Sequence, residues 1–526
     1  MTRFVPLLIV LIGAMGSIWC EDSVQLTTGP GNDTEAAWSP DGRRIAFQTD
    51  RNGDLDLCIL DVETKEVKPL VGGPGHACFP AWSPDGKWIA YAYAHFTKTA
   101  FEKNENGYNL FIVPSDGGEP RRLTSGLFRD YAPVFGPDGN TITFSSARHP
   151  KTNAVSLSSI PITGGEIKPV VSFEHDDEAA VQPDFSADGR LLAYAYVRGF
   201  RENWSLRIAK TSKMTDAFPL SDSRTSFYGP RWSPKERLIA CTGYQVGDPG
   251  WNVYFVQLDP LRKVRVTDGP GNSRSPAWSP DGKRLVFENN RTGAYKLYAM
   301  PVPDLPKADQ AAADESQGAV LRYDFAKDPG ATLSDLSEQK NIGAIHGAVS
   351  WQDGALSFTG KDAWIAIEKP RGFVFGKGTF CVRATVSVPA HTNEVRILCV
   401  GEYPNSRNGW QLYLGKDNRV YFNSRDPEGT YKGAVSEGEA PVGRPVTLVG
   451  VRLESGVVKI FVDGALERRT AGGAFMSYPE PNQVRIGAQW NGDSPFNGRI
   501  HDLAVYTRDL TSEEVRGSSL RRFLMD

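Results

Sequence analysis

The stretch AAWSPDGRRIAF at residues 36–47 returns as PAWSPDGKWIAY at 80–91 and as PAWSPDGKRLVF at 276–287. Weaker copies stand between them: APVFGPDGNTITF from 132, QPDFSADGRLLAY from 182 and GPRWSPKERLIAC from 229. Measured on the aromatic residue, Trp38, Trp82, Phe135, Phe185, Trp232 and Trp278 are separated by 44, 53, 50, 47 and 46 residues. A unit of that length cannot bury its apolar face alone and must stack on copies of itself, so the repeat decides the architecture before any single residue does.

Each unit has the same local chemistry. An aromatic residue ends a first strand, and Pro-Asp-Gly supplies a tight turn in which Gly takes positive φ and Asp bonds its own backbone. An alternating strand such as RRIAFQT follows, then a polar turn (DRNGD, NRTG), a third strand (LDLCILD, YNLFIVP, YKLYAMP) and a fourth (VKPLVG, PRRLTS, KVRVTD). Four short strands per repeat with no helical period predict a six-bladed β-propeller. The sixth unit lacks a fourth strand and runs instead into PDLPKADQAAADESQG. Its counterpart is at the other end, where VQLTTGPGN (24–32) mirrors VRVTDGPGN (264–272), so the N-terminal strand is expected to complete the last blade and leave no open edge.

This W/F-S-P-D-G repeat, over roughly 24–303, resembles the TolB-like propeller repeat. Relatives of that propeller serve as protein-docking platforms, as gating domains of prolyl-oligopeptidase-like peptidases and as polysaccharide lyases. The peptidase branch requires a G-x-S-x-G nucleophile elbow, and the chain has none. Sialidase Asp-boxes differ too, since SPDG here puts Gly directly after Asp with no Trp at the matching offset.

Residues 304–318 are a polar Ala/Asp-rich connector. Beyond it, AVLRYDF, GALSFTGKDAWIAIE, GTFCVRATVSV, GWQLYLGKDNRVYF and PVTLVGVRLESGVVKIFVDGALERR alternate between apolar and polar residues and break at Gly, Asp and Asn, which reads as a sandwich. Their order, with the hairpin KIFVDGAL and the closing FNGRIHDLAVYTRDLTSEEV, resembles the laminin-G-like, concanavalin A-like jelly roll. That resemblance implies a structural Ca²⁺, for which Asp324 and Asp502 are the candidates; turn and strand-end carboxylates without a metal are the alternative. The expected chain is therefore all-β: a signal peptide at 1–20, a propeller at 21–303, the connector, and a jelly roll at 319–526.

The net charge of −3 argues against a nucleic-acid or anionic-membrane partner. MTRFVPLLIVLIGAMGSIWC has the Arg, apolar run and small residues of an export signal, and no later run of 18 apolar residues predicts an integral span. Export to a periplasm, a surface or the medium is expected. Cys20 raises lipid anchoring, but bulky Trp19 stands where that processing signal takes a small residue. Of the other five cysteines, Cys381 and Cys399 either bridge neighbouring strands or are buried as small apolar groups.

Ligand contacts are expected at the propeller mouth, where residues just before each repeated motif converge. These include Glu35, His76, Arg129 and Asp130, His175 and Asp177, Tyr228 and Arg274. In the jelly roll Trp490, in the loop QWNGDSPFNG, is the candidate for stacking on a sugar ring. Such a rim suits a non-catalytic protein that recognises a polysaccharide or a surface glycoprotein. The alternatives are a carbohydrate-active, lyase-like enzyme, with His76 or His175 as base or metal ligand and the arginines neutralising a uronate, and a periplasmic protein-docking scaffold.

Overall fold

The computed structural model describes residues 23–94, 107–148, 154–173, 175–199, 203–221, 225–259, 261–305, 317–325, 332–352, 354–360, 363–376, 378–401, 409–425, 431–470, 481, 483–488 and 494–525. These form two compact units that divide after Leu305.

The first unit is six four-stranded antiparallel sheets. Their inner strands are Asp33–Trp38, His76–Trp82, Asp130–Phe135, Glu178–Phe185, Thr225–Trp232 and Ser273–Trp278, and each touches the next around a closed ring. The aromatic residue that ends an inner strand is the wedge between blades. Trp278 stacks on Phe255 of blade five with ring centroids 4.9 Å apart and donates its indole N–H to Arg231 O at 2.9 Å. Trp82 does the same to blade one, donating to Ala37 O at 3.0 Å under the guanidinium of Arg44. Burying a Trp in such a seam is worth about 3–5 kcal/mol.

The Ser-Pro-Asp-Gly turn is held by side chains as well as backbone. In blade two, Ser83 Oγ donates to Asp85 at 2.6 Å and accepts from the Trp88 N–H at 2.9 Å, and the same pair recurs at Ser186/Asp188 and Ser279/Asp281. The serine hydroxyl, then the backbone N–H two residues on, holds each of these carboxyls below its ordinary value. Blade five, with Ser-Pro-Lys-Glu, has no such Asp, and Ser233 Oγ accepts the Lys235 and Glu236 N–H groups instead.

Closure is as the sequence predicts. Val24–Gln25 pairs antiparallel with Lys296–Pro301 and supplies the outer strand of the sixth blade. Leu26 N–H then donates to Leu297 O at 2.7 Å, and Leu26 is buried with Trp38 and Leu297.

The second unit is a sandwich of two eight-stranded antiparallel sheets. Their facing sides form one core that includes Val382, Leu448, Leu503, Leu412, Phe422 and Val484. The outer side of one sheet carries a smaller apolar patch around Cys381, Val449 and Tyr506, covered by Val515 of the helix Ser512–Met525. Cys381 and Cys399 are buried and free, on different sheets, so they form no bridge. Among the described residues no helix is long and apolar enough to cross a membrane. Residues 1–22, including the apolar run and Cys20, lie outside the described residues.

Candidate functional site

All six inner strands break register at the same place. The ladder shifts between Thr34 and Ala37, Cys78 and Ala81, Tyr131 and Val134, Val181 and Asp184, Tyr228 and Arg231, and Arg274 and Ala277. In each bulge the first extra residue takes left-handed φ: Glu35 (48°), Phe79 (56°), Ala132 (50°), Gln182 (53°), Gly229 (60°) and Ser275 (47°). The residue after it is proline in every blade but the first, and proline leaves no ladder donor unpaired at a bulge.

Four of the six left-handed residues offer their N–H sideways to a side chain of the preceding blade. Phe79 donates to Gln48 Oε1 at 3.1 Å, Gln182 to Ser145 Oγ at 3.0 Å and Ser275 to Thr242 Oγ1 at 2.9 Å, while the Glu35 N–H faces the Glu288 carboxylate. The bulges therefore build a ring across the channel. Two residues further on, Ala37, Ala81, Val134, Asp184, Arg231 and Ala277 build a second ring, which with Glu35, Phe79 and Ala132 of the first lines a cavity of about 290 Å³.

The chemistry concentrates where blades five, six and one meet. Ser275 Oγ lies 2.9 Å from Glu35 Oε1 and 3.1 Å from Glu288 Oε1, so one hydroxyl bridges two carboxyls. Arg274 Nε stands 3.1 Å from Glu288, and its guanidinium covers the Tyr295 ring at 4.0 Å. Glu288 is 2% exposed. Burial first, then the negative charge of Glu35, push its carboxyl up to about 7 despite Arg274. Burial opposes the charge on Arg274, but Glu288, Tyr295 and Tyr228 more than restore it. Tyr228 packs edge-on against Trp251 at 5.2 Å, and Trp251 meets exposed Tyr244 at 5.7 Å, giving an aromatic surface on the face where the inner strands begin.

Of the mouth residues expected from sequence, Glu35, Tyr228 and Arg274 come together. Glu288, Ser275, Tyr295 and Trp251 belong with them and were not singled out. His76, Arg129 and the His175–Asp177 turn enter blades two, three and four, so blade three separates the two histidines. Among the described residues no three His, Cys, Asp or Glu side chains are grouped to hold a metal.

Asp130 requires correction as a ligand contact. Its carboxylate is fully buried and accepts from Ser146 Oγ at 2.7 Å and Arg148 Nε at 2.9 Å, a clamp repeated in blade one by Asp33, Thr49 and Arg51.

In the jelly roll Asp324 and Asp502 do pair across neighbouring strands. The buried guanidinium of Arg383 stands 3.5 Å from Asp502, so that carboxylate already faces a cation. Trp490 lies outside the described residues. Trp410 and Phe496 are core residues. One end of the sandwich instead carries an open polar cavity of about 920 Å³ lined by His391, Asn393, Glu394, Lys416 and Asn497.

The chain matches the TolB beta propeller domain over 54–217 and 171–306, and the Concanavalin A-like lectin/glucanases superfamily over 359–516. It is a TolB-like six-bladed β-propeller followed by a laminin-G-like jelly roll. An uncharacterised protein of Agrobacterium fabrum is 27% identical over 205 residues, covering 37% of this chain and 65% of its own length. A TolB homologue of Chlorobium chlorochromatii is 26% identical over 153 residues, covering 29% and 32%. The matches thus span less than two-thirds of either relative. Among solved structures, Trypanosoma rangeli sialidase shares 12% identity with a TM-score of 0.43, covering 94% of both chains. In the TolB-like propeller, then, the repeated residues build the frame, and the left-handed bulge residues differ in every blade.

Proposed function

We propose that this is an exported, non-catalytic recognition protein that binds a polysaccharide or a surface glycoprotein at the propeller mouth. The observation that carries it is the adjacency of an aromatic surface, Tyr228–Trp251–Tyr244, to the Arg274–Glu288–Ser275–Glu35 cluster. A sugar ring offers an apolar face and hydroxyls around its edge, and a wall of this composition meets both. The apolar run within residues 1–20 supports export. The polar cavity around His391 and Lys416 is the place for a second, jelly-roll contact.

The test is a glycan array on the full chain, followed by calorimetry on variants. Trp251→Ala and Arg274→Met are each expected to weaken the best ligand by at least about tenfold, the usual scale for removing a central Trp or Arg contact. His391→Ala is expected to weaken it less. An array without a hit would sink the reading and leave protein docking. Undiminished binding by both mouth variants would move the site elsewhere.

One observation favours a second reading, an enzyme acting on polysaccharide at the same mouth. Glu288 and Glu35 face each other through Ser275, and burial holds Glu288 near 7, as an acid–base pair requires. In that case Glu288→Gln would abolish release of new chain ends from the bound polysaccharide while sparing its affinity.

A further inference from the structure

Ser275 sits between two carboxyls and has one proton to give. Its Oγ lies 2.9 Å from Glu35 Oε1 and 3.1 Å from Glu288 Oε1, and its own N–H donates to Thr242 Oγ1 at 2.9 Å, which fixes it in place. Two ionised carboxylates accept only, so a single hydroxyl satisfies one of them and leaves the other contact as lone pair against lone pair. With one carboxyl protonated both contacts become bonds: the acid donates to Oγ, and Oγ donates to the carboxylate. The pair therefore holds one proton. Burial puts it on Glu288, which is 2% exposed, and leaves the charge on Glu35, which is half-buried and lines the cavity.

That charge has no cation of its own. No described Lys, Arg or His nitrogen comes within 4 Å of the Glu35 oxygens. Arg274, the guanidinium of the cluster, is turned to Glu288 at 3.1 Å and lies over the Tyr295 ring. We propose that the mouth takes a glycan residue with a free ammonium, which pairs with Glu35 and expels to solvent the proton that Glu35 and Glu288 share. This sugar class presupposes glycan recognition at the mouth. An ammonium brings three donors, and the aromatic wall that begins at Tyr228 suits the ring face of a cationic sugar.

The groups that face the shared proton are Glu35 from blade one, Tyr228 from blade five, and Arg274 and Tyr295 of blade six itself. Before binding, the charges of Glu35 and Arg274 cancel and Glu288 is neutral. An ammonium beside Glu35 adds a positive charge, which favours the ionised form of Glu288, so the proton leaves and the cluster returns to neutrality. The Ser275 hydroxyl then donates to Glu288, and the ligand takes its place on Glu35. Affinity for the amine accordingly rises with pH for as long as the amine stays charged.

Calorimetry on the full chain, with a linear glucosamine tetramer and its N-acetylated counterpart, separates the outcomes. At about pH 5.5, where the amine is charged, the free amine is expected to bind at least about tenfold tighter. Heats in two buffers of different ionisation enthalpy should report the release of close to one proton per ligand, and affinity should rise several-fold from about pH 5 to about pH 6. Glu35→Gln should erase the preference for the amine, and Glu288→Gln should keep it while releasing no proton. Equal or tighter binding of the N-acetylated tetramer, or binding without proton release, would overturn the proposal. A glycan array with hits only among neutral or acidic sugars would also overturn it while leaving recognition at the mouth standing; an array without any hit removes both. If Glu35→Gln does not fold, the two tetramers and the proton count on the unaltered chain decide.

Discussion

A chain that starts at Gly29 is expected to unfold at least about 10 °C below one that starts at Glu21, with a broader transition, when the two are compared by calorimetry. The deletion removes the strand Val24–Gln25 and the Leu26 and Thr27 contacts that continue it, including Leu26 N–H to Leu297 O at 2.7 Å and Leu297 N–H to Thr27 Oγ1 at 3.1 Å. Exposing the seat of buried Leu26 costs about 2–3 kcal/mol and each lost ladder bond about 1 kcal/mol. The sum, about 5 kcal/mol, is a large part of what a domain has in all. The ring would also open between its first and last blades, because this strand is the covalent start of blade one and the outer edge of blade six. An unchanged midpoint would show that blade six is self-sufficient and that closure is a matter of packing between inner strands alone.

Glu288→Gln is expected to do the reverse, raising the propeller's stability at pH 8 and flattening its dependence on pH. Glu288 ionises near 7 in the fold against 4.5 in its ordinary state. Its folded value is raised, so between those limits the folded chain holds a proton that the unfolded chain has released. Stability therefore falls as pH rises through this window and stays at the lower level above it, by a few kcal/mol. Asp184, raised to about 6 from 3.8, adds the same sign over a lower window. The turn carboxyls Asp85, Asp188 and Asp281 are lowered instead, and the stability they bring is lost only on acidification below their ordinary value. Glutamine keeps the neutral form's shape and its bond to Ser275, so the variant has no proton to lose. Denaturant midpoints from pH 5 to pH 8 are the measurement, and parallel slopes for both proteins would show that Glu288 is not held neutral.

The frame was legible because it is local and written six times. Wedge aromatics, Pro-Asp-Gly turns and the displaced fourth strand each depend on neighbours within a few residues, and the copies correct one another. The site was only partly legible because its residues differ between copies. Glu288 was missed since it lies in a second strand, among buried apolar residues, rather than in a loop before a motif. Aligning the residue that follows the aromatic, or Cys241 in blade five, in each second strand would have exposed it: Gln48, Ala92, Ser145, Ala195, Thr242 and Glu288. Five are neutral and one is an acid. Asp130 was misread for the opposite reason. Its place before a motif looked like a mouth contact, whereas the Ser146–Arg148 pair, which matches Thr49–Arg51 after Asp33, marks it as a clamp. Asp502 carried no sequence sign that Arg383, more than a hundred residues away, would meet it. Contacts between distant strands of a sandwich depend on register, which alternation alone does not supply.

The left-handed bulges have a consequence for how such a protein diversifies. Glycine is at home at that φ, yet only blade five uses it, at Gly229; the other five hold a side chain there against an intrinsic cost of about 1 kcal/mol each. The backbone shape does not depend on one particular side chain, because every blade has either a following proline or an N–H bond to the preceding blade, and three have both. These six positions therefore behave like sockets on a common chassis. A lineage can exchange what is plugged into one of them without rebuilding the blade, and new specificity in this propeller can arise by single substitutions facing the axis.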